Sequence, residues 1–245
     1  MNIKTYFFLF LCLLITGNGF AEAKRDFIQA HLIPLQEATI SSQFNGKITS
    51  IYVKNGDSFK KNKVLVRFDC SILESQLRKS DAVLQKAEDI YESNLEMNEY
   101  KSISNVELKI SHSELEVAKA EAGIVKTQLK YCRITAPYAG KVVKLLAHTH
   151  ESGEVGGPLL EIIKTGTPEI RLFVPSNWLK KIIPGVLFTV AVHETEKEYS
   201  AVITRVGGRI NPVSQTIEVY GKFQQNNPEL LPGMSGHVRF TTKKK

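Results

Sequence analysis

Apolar residues change their spacing three times along the chain, and each change marks a boundary between elements. Over 38–69 they alternate. Ile51 and Val53 precede the turn sequence Asn55-Gly56-Asp57, and Val64, Val66 and Phe68 follow it, which predicts short strands joined by a tight turn. Over 71–131 the pattern becomes helical, with no Pro and one Gly, Gly123. Leu73, Leu77, Ser80, Leu84, Ala87 and Tyr91 follow a 4-3-4-3-4 spacing. Leu108, Ser111, Leu115, Ala118, Ala122, Val125, Leu129 and Cys132 follow 3-4-3-4-3-4-3. These are two heptad seams with small residues that permit close approach. Ser104 with Glu107 three residues later is a capping box that starts the second helix. Each helix should hold roughly 27–30 residues and run ~40–45 Å. So short a link between them forces an antiparallel hairpin.

At Ile134 the alternating texture returns and echoes the first stretch. Ile40 followed by Gly46-Lys47-Ile48 is matched by Ile134 followed by Gly140-Lys141-Val142, and Gly56-Asp57 is matched by Gly153-Glu154. Two like half-motifs around a helical insert predict one β domain, 36–69 with 133–165, interrupted by the hairpin 70–132. After Gly166 strands are expected at 170–174, 186–192, 200–206, 215–223 and 235–240, with a helical turn or two near 177–183. Gly207-Gly208, Asn211-Pro212 and Pro232-Gly233 supply turn signals. Strands so spaced predict a small antiparallel barrel over 166–245. The fold class is therefore mixed α and β, and elongated. Residues 22–35 are expected to contribute little.

The apolar run 6–15 follows Lys4 and leads to Gly17, Gly19 and Ala21. That is the layout of a secretory signal over 1–21, cut before Glu22. Leu11 ahead of Cys12 is too large for a lipidation site. No apolar run reaches the ~18 residues of a spanning helix. With 42% hydrophobic and 23% charged residues the chain is globular in composition. Its formal charge is +7, yet 71–131 holds eight Lys or Arg against eleven Asp or Glu. The β portions and Lys243-Lys244-Lys245 therefore carry the positive excess, which suits an anionic membrane surface or an acidic protein. Export rules out nucleic acid. Signal cleavage leaves two cysteines, Cys70 and Cys132, with no CxxC. An antiparallel hairpin places both at its base on opposite legs, and an oxidising compartment allows a disulfide between them.

Catalytic chemistry finds no support: the six His are scattered, and Gly-x-Ser-x-Gly and phosphate-loop motifs are missing. His148-Thr149-His150-Glu151 reads as a solvated loop rather than a metal site, and no cofactor is expected. A lipoyl or biotinyl carrier would need its Lys in a tight turn between the β halves, where the hairpin is inserted.

The chain resembles the periplasmic adaptor, or membrane-fusion, proteins of the hemolysin-D-like and efflux-adaptor type. Three stretches carry the resemblance: Gly46-Lys47-Ile48 with Asn55-Gly56-Asp57, the run Ile134-Thr135-Ala136-Pro137-Tyr138-Ala139-Gly140, and Leu231-Pro232-Gly233-Met234. It implies a lipoyl-like (barrel-sandwich hybrid) domain, a helical hairpin and a β-barrel, in a short form without the usual membrane-proximal domain. It also implies a non-enzymatic periplasmic subunit that joins an inner-membrane transporter, proton-driven or ATP-driven, to a TolC-type outer-membrane channel. Assembly would be as a homo-oligomer, often a hexamer in such families. Family tips often show Arg, then Leu four residues on, then Ser a further seven on. Here Ser93, Met97 and Ser104 stand at those places as channel contacts, so the Arg is replaced. An envelope structural or assembly protein that self-associates through the hairpin is the alternative.

Overall fold

The computed structural model describes residues 28–240. The expected signal segment and the terminal lysines lie outside the described residues.

Sequence alternation becomes eight short strands that form two four-stranded sheets. The first half supplies β2 (Glu37–Ser41), β3 (Gly46–Ile51), β4 (Ser58–Phe59) and β5 (Val64–Phe68). The second supplies β6 (Arg133–Thr135), β7 (Gly140–Leu145), β8 (Ser152–Gly153) and β9 (Pro158–Lys164). One sheet runs β2-β9-β7-β4 and the other β6-β5-β3-β8. Exchanging each strand for its counterpart in the other half turns one order into the other, so the repeat read from sequence is a pseudo-two-fold axis. Neither half could form a sheet alone, because each sheet draws strands from both. Ile48, Leu65, Val66, Leu160 and Ile162 fill the core between the halves.

The register of the repeat differs from the one expected. Asp57 accepts from the Lys54 N–H (2.9 Å) and Glu151 accepts from the His148 N–H (2.8 Å). Gly56 N–H donates to the Val142 carbonyl and His150 N–H to the Ile48 carbonyl, each at the equivalent place in the second strand of the opposite half. The counterpart of Gly56-Asp57 is thus His150-Glu151, not Gly153-Glu154. Both turn residues take left-handed φ, 86° for Gly56 and 75° for His150, which hid the match because His replaces the expected Gly. The 148–151 segment is a turn latch, with His148 Nδ1 3.0 Å from Glu151.

The run Ile134-x-Ala136-Pro137-x-x-Gly140 has a packing reason. Ile134 and Ala136 are buried. A Cβ on Gly140 would collide with the Ile163 carbonyl and lie 2.9 Å from the Phe59 ring. Only glycine lets β4, β7 and β9 meet there.

Between the halves stand α1 (Ser71–Glu99) and α2 (Asn105–Lys130), roughly 44 and 39 Å long. Asp81 pairs with Lys126 (3.1 Å), the Tyr91 ring meets His112, and Asn98 bonds Asn105. Partners run in opposite order along the two helices, so the pair is antiparallel. The expected seam of α2 turns inward, with Ser111, Leu115, Ala118 and Ala122 buried, whereas α1 has no buried residue.

Six strands close the barrel in the order β1-β10-β13-β12-β11-β14: β10 (Glu169–Pro175), β11 (Leu187–Val192), β12 (Lys197–Asn211), β13 (Thr216–Phe223), β14 (Ser235–Phe240) and β1 (Ile28–Ile33). A 3-10 turn, Ser176–Trp178, follows β10. Two expectations are corrected. The 22–35 segment is not idle, because β1 closes the barrel between β10 and β14 and buries Ala30 and Leu32. Gly207-Gly208 is not a turn between strands but lies inside β12, where register shifts bend the strand. The Leu231–Met234 turn is tied to β1, since Gly233 N–H donates to Leu32 and Leu32 N–H to Met234.

Candidate functional site

The far end of the helical pair presents the expected contact residues, and its construction follows from local chemistry. Helix α1 ends on Lys101 with φ 56°, a left-handed residue. Ser102 N–H then bonds the Met97 carbonyl and Lys101 N–H the Asn98 carbonyl, the two bonds of a Schellman cap. Helix α2 begins at once: the Ser104 hydroxyl accepts from Glu107 N–H at 3.1 Å, satisfying one orphan donor of the first turn. The tip is therefore a short turn sealed by caps on both sides.

Of the three expected residues, Ser93 and Met97 are exposed on α1. Met97 is 49% exposed and lies off the seam, which continues through Asn94 and Asn98. Ser104 is occupied as an acceptor in its cap, which leaves its hydroxyl proton free to donate. The three residues lie in the last two turns of α1 and at the start of α2, on the same end. Sequence reasoning missed Tyr100, the cap residue of α1, which is 82% exposed at the apex. An aromatic residue between two capped helices was the available signal.

At the other end Cys70 and Cys132 are buried, with Cα atoms 6.2 Å apart and sulfurs at bonding distance, inside the ~4.4–6.8 Å span of disulfides. Phe68 N–H donates to the Cys132 carbonyl, so the same strand–helix junction is tied by backbone and by sulfur. Asp69 accepts from the Ser71 N–H, which holds its carboxyl below the usual range and favours the start of α1. Cations gather beside this junction: Arg67 lies directly across from Arg133, and Lys126 and Lys130 line the same groove of about 590 Å³.

Among the described residues no group of three or more His, Cys, Asp or Glu is placed to hold a metal ion, and no helix is long and apolar enough to cross a membrane. The described residues thus comprise an interrupted β-sandwich, an antiparallel helical pair joined at its base through Cys70 and Cys132, and an exposed apex.

Known structures share this arrangement. A chimeric MacA–MexA protein containing the Pseudomonas aeruginosa MexA α-hairpin domain superposes with TM-score 0.75 at 19% identity, over 86% of this chain and 79% of its own. The membrane fusion protein of Streptococcus pneumoniae gives 0.73 at 15%, over 88% and 98%. This is the membrane fusion protein fold. MacA of Actinobacillus actinomycetemcomitans shares it with TM-score 0.61 at 21% identity, over 86% and 76%. In sequence, an uncharacterized protein of Haemophilus influenzae is 24% identical over 208 residues, 84% of this chain and 54% of its own. The multidrug resistance protein MdtA of Photorhabdus laumondii is 23% identical over 225 residues, 82% and 56%. The chain spans about half the length of these curated relatives. No protein-family model matches it.

Proposed function

We propose that this chain is a periplasmic adaptor subunit of a tripartite efflux or secretion system, exported by a cleaved signal and working without catalysis or cofactor. The two β units are its inner-membrane side, where the basic surface meets a transporter or anionic lipid. The sandwich is a lipoyl-like domain, and the inserted helices are a hairpin that reaches outward to a TolC-type channel. Several copies assemble, so that the joined subunits enclose a conduit. The observation that carries this reading is the rod itself. Two antiparallel helices about 40 Å long interrupt a sandwich whose halves are interleaved, are stapled at the base, and end in an apex that displays Met97 and Tyr100.

A lipoyl-type carrier is disfavoured because the place of its modified Lys is taken by α1 and α2. The sulfur pair is proposed to be oxidised in the mature protein, fixing the direction in which the hairpin leaves the sandwich. The reading is tested by Met97→Asp in an export assay. Transport is expected to fall at least tenfold while helicity and melting temperature stay at wild-type values. Unchanged transport by a well-expressed variant overturns the tip assignment.

A further inference from the structure

The strands of the barrel run between two ends that differ in chemistry. Both connections to the sandwich leave from one end, where Ile33 at the close of β1 lies across from Glu169 at the start of β10. Three segments meet at the other end. The 176–187 link leaves β10 where Pro175 pairs with Thr216. The 212–215 turn joins β12 to β13, and β14 runs out at Phe240 opposite Phe188. Ser176 N–H donates to the Gln215 carbonyl (2.9 Å), and the Trp178 and Phe240 rings lie 5.9 Å apart, so the three segments touch.

This end exposes apolar side chains among cations. One helical turn, closed by the bond from Ile182 N–H to the Trp178 carbonyl, drops Ile182 into the barrel core. Its neighbours Trp178, Leu179 and Ile183 are left exposed, Ile183 by 56%, and Val213 on the adjoining turn is 93% exposed. The link is pinned to β12, since Gly185 N–H donates to the Ile203 carbonyl and Ile203 N–H to the Val186 carbonyl. The charge has one sign. Residues 176–187, 207–216 and 240–245 hold Lys180, Lys181, Arg209 and Lys243-Lys244-Lys245 without one Asp or Glu. Residues 22–27, which lead into β1 at this end, are balanced, with two of each sign. Lys180, Lys181 and Arg209 make no ion pair among the described residues. Chain length alone keeps the terminal lysine run within ~18 Å of Phe240.

We infer that this end of the barrel is an interfacial anchor for an anionic phospholipid surface. Trp178, Leu179, Ile183 and Val213 enter the boundary between headgroups and acyl chains, and the cations lie against the headgroups. Trp favours that boundary because its ring is apolar while its N–H stays wet. Each Lys near an anionic leaflet raises binding roughly fivefold. Size favours lipid over protein. Six strands about 4.8 Å apart, tilted as in barrels, close a ring about 12 Å across. With side chains its end projects on the order of 300 Å², under half of the ~800 Å² that each partner gives to a standard protein interface. A fluid bilayer needs no fitted shape and accepts single apolar residues standing among cations. An anchor here rests on the reading of the β units as the inner-membrane side, and of the transporter and lipid named there it selects lipid.

Trp178 is the only Trp in the chain, so its emission reports the anchor directly. The test adds vesicles of phosphatidylcholine with phosphatidylglycerol, or of phosphatidylcholine alone, to the purified mature protein. Neither transporter nor channel is present, so a failure here leaves the adaptor reading to its own export assay. With anionic vesicles the emission should shift to the blue and be quenched by lipids brominated on the acyl chain. Neutral vesicles should bind at least tenfold more weakly. Lys180→Glu with Lys181→Glu should cut partitioning at least roughly 25-fold. Val213→Asp, at the most exposed of the four apolar positions, should cut it at least fivefold and keep the wild-type melting temperature. Equal binding by the Lys180→Glu, Lys181→Glu variant, or no binding to anionic vesicles, overturns the anchor. Binding without acyl-chain quenching overturns insertion. A photoreactive residue at Ile183 that captures an inner-membrane protein and no lipid in whole cells also overturns the proposal.

Discussion

Breaking the Cys70–Cys132 link should weaken the sandwich and hairpin while sparing the barrel. The two cysteines are 62 residues apart in sequence. Closing a loop of that length removes chain entropy worth about 4 kcal/mol in the unfolded state. At roughly 2–4 °C per kcal/mol for a chain of this size, the helical transition should fall by about 8–16 °C. Two probes separate the units. Helicity at 222 nm reports α1 and α2, which hold most of the helix. Fluorescence reports the barrel, because Trp178 is the only Trp in the chain and packs on Phe240 of β14. The variant is Cys70→Ala with Cys132→Ala. Wild-type protein refolded in reductant controls for the lost sulfur volume. The helical transition should drop in both samples while the fluorescence transition stays in place. A helical shift below about 1 kcal/mol would refute the staple, since the entropy term is several times that. Equal shifts in both probes would refute the assignment of the bond to one unit.

Gly140→Ala should destabilise the sandwich by roughly 2–4 kcal/mol, because the added methyl meets the Ile163 carbonyl and the Phe59 ring; urea denaturation checks it, with Gly123→Ala, where the added carbon meets nothing, as the harmless comparison. Lys101→Gly should raise helix stability by about 0.5–1 kcal/mol by relieving a left-handed non-glycine residue, read as a higher melting point at 222 nm. Glu151 is held below its ordinary value chiefly by the His148 backbone N–H. Its contribution is therefore present above the unfolded-state value and is lost as pH falls through the lower folded one; NMR titration should find the depressed carboxyl, and Thr149 and His150 resonances should move with it.

Much of the architecture was legible because its signals are local. The helices were readable from two seams and the Ser104–Glu107 box, and the barrel strands from alternation between turn residues. The sandwich repeat was visible through Gly46 and Gly140, but its turn was misaligned because His150 adopts the φ that Gly56 adopts. Strand β1 has the right alternation, with Ile28, Ala30 and Leu32 inward. Its partners β10 and β14 lie about 140 and 200 residues away, and no local pattern announces so distant a pairing. Gly207-Gly208 misled for a related reason: whether two glycines turn a chain or bulge a strand depends on β13 alongside. At the apex, Met97 stood out as an apolar residue near a turn. Tyr100 was overlooked, since the two seams had already accounted for both helices and it lies on neither.

The central claim is that the apex of the hairpin meets an outer-membrane channel. The most direct measurement places a photoreactive amino acid at Tyr100 in whole cells and identifies its adducts by mass spectrometry. The account predicts an adduct with an outer-membrane channel protein, one that disappears when the same residue is placed at Glu161 in β9 of the sandwich. Adducts confined to copies of this chain, or to soluble envelope proteins at both positions, would contradict it.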